Sequence, residues 1–457
     1  MSDAAPSLAP PPASGGARWW DSLAVYLRPR VLAIMFLGFS SGLPLALSGS
    51  TLLIWMREAG VDLTTIGLFA LVGTPYTLKF LWAPVVDAIP IPLLSRLLGR
   101  RRGWLVFAQL LLAGAIALLA SFDPAKAPGM VALGALLVAA ASATQDIVID
   151  AYRVERLDPS EQAAGMGAYV AAYRVGMLVS TAGVLFLVSF IEGWLAIPAA
   201  QAWHYGYLAM AACVGVGMVT VLLSGEPAAP QGREAVEAAQ EGPVRRVFRA
   251  AAGAFTEFLS RRLAIAVLAF VVLYKFCDAF AGTMTAPFVI DLGFTRTDYA
   301  AIVKGVGLAA TLIGGIAGGL AARALPLATM LWIGAILQAG SNLTFAWLAG
   351  LGTNYTALTL AIVAENFTGA IGTVVFVAYL SALCQNPLHT ATQYALLTAL
   401  AAVGRTYLSA SAGYVAAETG WMWFFVGSLA TAVPSLILLA YLQARGHFRE
   451  LVRPAGT

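Results

Sequence analysis

Ser142-Ala143-Thr144-Gln145-Asp146-Ile147-Val148-Ile149-Asp150-Ala151-Tyr152-Arg153 closes an apolar run that begins near Val131. It sets two carboxylates into a segment that reads as membrane-spanning. Asp146 and Asp150 are four apart, so on a helix they lie one turn above the other on one face. A carboxylate deep in a spanning helix costs about 2.5–3.5 kcal/mol on insertion scales. It therefore needs a partner, a proton or a water-filled cavity, and that need points to a transport pathway. Composition agrees: 60% of the chain is hydrophobic and 11% charged, against roughly 25% charged in soluble domains. The 457 residues leave room for about twelve spans of about twenty residues. Mean hydropathy is +0.81.

The spacing of apolar runs predicts spans at 31–56, 64–86, 104–121, 130–152, 163–190, 203–223, 262–290, 298–322, 326–349, 355–383, 391–417 and 420–442. All should be helices, because an open sheet leaves backbone groups unsatisfied in lipid. The net charge of +4 does not point to nucleic acid, because the arginines alternate between loops. Arg18, Arg28 and Arg30, then Arg96 to Arg102, Arg153 and Arg156, the 224–261 linker, Arg323, and the tail with Arg445 and Arg449 fall on one side. Only Arg57, Lys126 and Arg296 fall on the other. Both termini are expected in the cytoplasm. Cys213, Cys277 and Cys384 have no short spacing, so neither a disulfide framework nor a metal site is expected. No cofactor is expected. Without a Gly-x-x-x-x-Gly-Lys stretch, energy should come from an ion gradient or from substrate alone.

The domain reading is a disordered cytoplasmic stretch 1–28, a six-helix bundle 29–223, a linker 224–261, a second bundle 262–443 and a tail 444–457. Within the linker, 243–261 reads as a basic amphipathic helix with Val247, Phe248, Phe255, Phe258 and Leu259 as apolar contacts. The halves look related. Shifted by 233 residues, Gly49 falls on Gly282, Ser50 on Thr283 and Glu58 on Asp291, and spans four and ten both end in Ala-Tyr (Tyr152, Tyr379). The fold class is thus all-α membrane protein, with about twelve helices in two pseudo-symmetric six-helix bundles. That is the major facilitator arrangement, with substrate between the halves near mid-membrane.

Several charges fall near mid-membrane. Asp146, Asp278 and Glu365 are proton-coupling candidates. Lys79, Arg174, Lys275 and Arg405 are candidates for substrate carboxylates, and Tyr76, Gln145, Tyr173 and Asn366 for sugars or amides. The plain alternative is ion pairing between helices, Asp146 with Lys79 or Arg174, and Lys275 with Asp278 three residues on. Gly42-Leu43-Pro44 and Gly73-Thr74-Pro75 are expected helix breaks, and Gly314-x-x-x-Gly318 a close helix contact. Asp87 and Arg101, with Asp150 and Arg153 at the inner end of span four, are candidates for a cytoplasmic gate.

Leu37-Gly38-Phe39-Ser40-Ser41-Gly42-Leu43-Pro44-Leu45, Glu58-Ala59-Gly60, Pro75-Tyr76-Thr77-Leu78-Lys79-Phe80-Leu81-Trp82-Ala83-Pro84, Gly99-Arg100-Arg101-Arg102-Gly103-Trp104 and Ser142 to Tyr152 resemble the AmpG-type muropeptide permeases of the major facilitator superfamily. The acidic-then-basic loop from Asp87 to Arg102 also resembles the superfamily's, with 89–98 inserted. The resemblance implies a monomeric, proton-driven importer of GlcNAc-anhydroMurNAc peptides in the bacterial inner membrane, serving peptidoglycan recycling and β-lactamase induction. It places Gln145 and Asp146 on the family's span-four pair and Lys79 on its span-two lysine. Membrane lipid and protons are the other partners it implies. Two readings compete: a carrier of another large anionic solute such as an acyl-CoA, and a membrane-embedded prenyltransferase using Asp146 and Asp150 to hold Mg²⁺. The second needs another acidic cluster, and Asp278 and Glu365 stand alone.

Overall fold

The computed structural model describes residues 24–158, 161–227, 259, 262–383 and 390–451. The first stretch 1–23 and nearly all of the predicted linker helix lie outside them. Among the described residues every regular element is a helix. Nine are long and apolar enough to cross a bilayer: α1 Pro29–Glu58, α3 Arg100–Ala120, α4 Pro128–Arg156, α5 Ala164–Leu195, α6 Ala199–Leu223, α7 Ala264–Asp291, α8 Arg296–Ala322, α10 Tyr355–Leu383 and α12 Trp421–Ala444. Three helical stretches fill the gaps: α2 (63–88), α9 (Leu327–Leu351) and α11 (390–419). Nine and three make twelve. The helices run past the apolar limits read from sequence: α3 opens on Arg100-Arg101-Arg102, whose charges are met by Glu155 and by the Val221 and Leu222 carbonyls.

The breaks have local causes. Pro44 has no backbone N–H to give, and one turn later α1 opens into a wide turn at Leu47–Thr51, where Gly49 leaves helical geometry. Ser48 Oγ donates to the Pro44 carbonyl at 2.8 Å. α2 is interrupted by tight turns at Phe69–Gly73 and Lys79–Leu81, and its helical pieces restart at Pro75 and Pro84, each in a first turn where proline fits. Gly314 and Gly318 of α8 lie against Phe367 and Ile371 of α10, so that stripe serves helix packing.

Two directions are useful: the terminal end, where α1 begins and α12 finishes, and the far end. A single apolar core runs through the far end of both halves, from Trp55, Met56 and Trp203 to Phe288, Phe345 and Phe425. At the terminal end the core splits. Val31, Trp104 and Tyr152 belong to a cluster within the first half, and Val267, Tyr379 and Leu442 to one within the second. Apolar burial therefore joins the halves at the far end and leaves them separate at the other. Gly67 of α2 and Gly413 of α11 meet backbone to backbone in this joint, where any side chain would collide. The matched tyrosines do matched work: Tyr152 donates to the Gly225 carbonyl just beyond α6 at 2.8 Å, and Tyr379 bonds His447 just beyond α12 at 3.1 Å.

Asp62 caps the far-end start of α2, accepting from the Thr65 backbone N–H at 2.8 Å and its hydroxyl at 2.7 Å. The Thr65 backbone N–H, foremost, holds the Asp62 carboxyl below the usual carboxylate range. Asp62→Ala should cost about 1 kcal/mol. A depressed pKa means that the cap's contribution is present above the unfolded carboxylate pKa and is lost as pH falls through the folded one. The difference from wild type in denaturant unfolding should be full at neutral pH and fade in acid; a deficit of the same size at both would discount the cap.

Candidate functional site

In the first half the candidates gather on the side facing α11. Ser41 of α1 donates to the Asp146 carboxylate at 2.5 Å and shares its hydroxyl with Tyr169 of α5 at 2.9 Å. Hydrogen bonds to an ionised carboxylate are short and strong, so three helices hold Asp146 in place. Lys79 of α2 is near enough for its charge to act on Asp146 but forms no ion pair among the described residues. The Tyr76 hydroxyl is buried beside Asp146, with Ser142 and Tyr173 as its other polar neighbours. Tyr173 feels the charges of Asp146, of Arg174 next to it, and of Arg405 from the opposite half. Arg174 and Arg405 are exposed to solvent space and form no ion pair among the described residues. Thr77 of α2 and Thr406 of α11 meet at 3.3 Å across the halves. The cations expected to neutralise Asp146 by direct pairing are thus left without a carboxylate in contact.

Gln145 is fully buried, 3.4 Å from Ser40 Oγ. It faces the interior of its own bundle, not the space between halves. In the second half the charges do neutralise each other. Lys275 Nζ lies 2.7 Å from Asp278 and 2.6 Å from Gln338. Glu365 accepts weakly from Thr285 at 3.5 Å and lies within reach of the Asp278 charge. Asn366 is spent on the α8–α10 contact, accepting from Thr311 at 3.1 Å and donating to the Ile362 carbonyl at 3.0 Å.

At the terminal end the structure differs from the expected gate. Arg101 is buried and forks onto Glu155 of α4 (3.0 Å from Nε, 2.5 Å from an Nη). Asp150 is exposed, and its ion pair among the described residues is with Arg153 of its own helix, at 3.8 Å. The reason is helical phase: Glu155, five residues beyond Asp150, faces α3, whereas Asp150 points away. The Asp87 side chain lies outside the described residues. Glu226 closes the same corner by accepting from the backbone N–H groups of Arg101 and Arg102 at 2.8 and 3.0 Å. All of these contacts stay within the first half, so they brace one bundle without bridging two.

The ion pairs that bridge the halves among the described residues lie at the far end, on residues such as Arg57, Arg296, Glu58 and Asp291 that the sequence reading did not place in the site. Arg57 of α1 grips Asp291 of α7 through Nε and through an Nη at 2.8 Å from Oδ2, and Trp421 of α12 donates to the same carboxylate at 3.0 Å. Arg296 of α8 sits between Glu58 of α1 at 2.7 Å and Glu192 of α5 at 2.6 Å, over the Trp203 ring. Trp203 in turn donates to Glu58 at 2.9 Å. The match of Glu58 with Asp291 was the available signal: each is the last acid of the first helix of its half, and each takes an arginine from the other half. Ion pairs seal the far end, and among the described residues none bridges the halves at the terminal end.

The model of the Major Facilitator Superfamily matches residues 34–405. The anhydromuropeptide permease of Escherichia coli K12 is 39% identical over 419 residues, covering 91% of this chain and 80% of that protein. A putative transporter AmpG 4 of Rickettsia felis is 32% identical, covering 91% and 97%. Among solved structures, the nucleoside transporter NupG aligns with a TM-score of 0.65 at 13% identity, covering 93% of this chain and all of that one. The inward-open xylose transporter XylE of Escherichia coli aligns at 0.59 and 13%, covering 91% and 98%. The chain belongs to the major facilitator superfamily and, within it, to the anhydromuropeptide permeases.

Proposed function

We propose that this transporter carries anhydro-muropeptides, GlcNAc-anhydroMurNAc peptides, from periplasm to cytoplasm through the bacterial inner membrane, driven by protons, for peptidoglycan recycling. The termini are cytoplasmic in this reading, and the state described is inward-facing. The observation that carries it is the set of cations, Lys79 beside Asp146 and Arg174 and Arg405 beside Tyr173, with no carboxylate in contact among the described residues. Unpaired charges inside a spanning bundle are costly and rare, and these reach open space where the peptide carboxylates of a passing substrate would pair with them. Tyr76 and Tyr173 offer ring faces and hydroxyls for sugars. The name of the Escherichia coli relative supports the substrate class. Asp146, bonded to Ser41 yet close to Lys79, is the group for proton coupling. Glu365 is a second such group. Lys275 and Asp278 serve in the ion pair that holds α7, and Asn366 in helix packing. The prenyltransferase alternative is dropped with the family, whose members are transporters.

Uptake into proteoliposomes tests this. Arg174→Gln should raise the apparent KM for the anhydro-muropeptide about tenfold, the loss of one charge-assisted contact, with a smaller effect on the bare anhydro-disaccharide. The Arg fork suits a carboxylate, and Tyr173 beside it suits a sugar. An equal loss for both substrates would make Arg174 structural. Competition by an acyl-CoA stronger than that by muropeptide would move the substrate class.

A further inference from the structure

A groove of about 620 Å³ opens at the terminal end between α1 and α6. Ala33, Phe36, Val216, Val219 and Leu223 form its apolar bed, and Arg30 and Arg156 stand at its end. Phe36, Val219 and Leu223 are exposed, so the groove faces outward from the bundle, away from the space between the halves. From Gly215 to Ser224 it runs nine residues along α6, about 13 Å at the helical rise. That is close to the roughly 15 Å of hydrocarbon in one leaflet. We infer that it binds one acyl chain of an anionic phospholipid, with the phosphate held by Arg156 and Arg30.

Charge complementarity selects this occupant. Arg156 has no carboxylate within ion-pair distance among the described residues, and Arg30 has Asp158 at 2.7 Å in a pair exposed on both sides. Tyr152, whose hydroxyl is held by Gly225 at 2.8 Å, fixes the floor beside them. Arg102 adds a third guanidinium at the same corner, on the Val221 and Leu222 carbonyls at 2.9 Å. The acids nearby are committed: Glu226 to the backbone of α3 and Glu161 to Arg28 at 2.9 Å. The chain's own linker is a poor occupant, since its second part carries Arg245, Arg246, Arg249 and Arg261 and would meet like charge. An apolar slot ending in cations near the membrane interface is the shape of a lipid headgroup site.

The test is native mass spectrometry of the full chain in detergent, titrated with phosphatidylglycerol or with phosphatidylcholine of the same chains. Phosphatidylglycerol should bind several-fold more tightly. Arg156→Gln should weaken it about fivefold, the worth of one interfacial arginine, with little change for phosphatidylcholine. Val216→Trp, which fills the bed, should weaken both lipids. Equal affinity for the two lipids, or phosphatidylglycerol binding unchanged in Arg156→Gln, overturns the proposal. So does a Val216→Trp variant that binds both lipids normally, because the headgroup would then be held without the groove. Lipid binding seen only after residues 231–256 are deleted would also overturn it and make the linker the occupant. Unchanged elution volume on gel filtration shows that each variant is folded.

Discussion

Gradient-driven uptake of anhydro-muropeptide should fall on the order of a hundredfold in Asp146→Asn, a loss typical of removing a proton-transferring group. The substitution is nearly isosteric, and an Asn carbonyl can still accept from Ser41, whose bond to Asp146 is 2.5 Å. The α1–α4–α5 contact should therefore survive and the protein should reach the membrane at normal levels. What disappears is the charge opposite Lys79 and the site a proton can occupy. Exchange of labelled for unlabelled substrate with no proton gradient separates the two roles. If exchange persists while driven uptake is lost, Asp146 couples protons. If both are lost together, it acts in binding. Near-normal driven uptake would remove Asp146 from the mechanism.

The second large effect is expected at the far end. Arg296→Ala removes the one cation lying between Glu58 and Glu192 and strips the Trp203 ring of its guanidinium. Two half-buried acids from α1 and α5 are left facing each other. Removing one partner of a fully buried pair costs about 3–5 kcal/mol. Here the groups are 13%, 20% and 35% exposed, so about 2 kcal/mol is a fair discount. That shifts the balance between sealed and open far ends by more than tenfold. A cysteine placed at Ala59, next to this seal, should react with a membrane-impermeant maleimide at least about tenfold faster in Arg296→Ala than in the parent. Glu192→Gln should do much less, because Arg296 keeps Glu58. Labelling unaffected by Arg296→Ala would mean that the apolar joint alone keeps this end shut.

Particular residues show where reading the chain stopped. Asp146 was legible because a charge inside an apolar run is costly anywhere in a bilayer, whatever its neighbours. Lys275 and Asp278 were legible as a pair because three residues on a helix fix their proximity. Arg101 with Glu155 was not, because the choice between Asp150 and Glu155 depends on which face α4 turns to α3. Arg296 with Glu58 and Glu192 was not, because those groups come from three helices whose order in space no local pattern encodes. Gln145 carries the same warning: beside Asp146 in sequence, it lies about 100° around the helix and faces a different neighbour.

From the sequence alone came the all-helical membrane fold, the twelve spans, the kinship of the halves and the motifs of the family. All of these rest on local quantities: hydropathy over about twenty residues, charge counts in loops, and similarity along the chain. The tertiary structure alone decided which charges are neutralised and which stay available. It also decided where the halves join, through one core at the far end and two at the other. The physical reason is range. Burial of an apolar run is decided within one helix, whereas a salt bridge needs atoms within 4 Å, and here those atoms come from helices up to 234 residues apart.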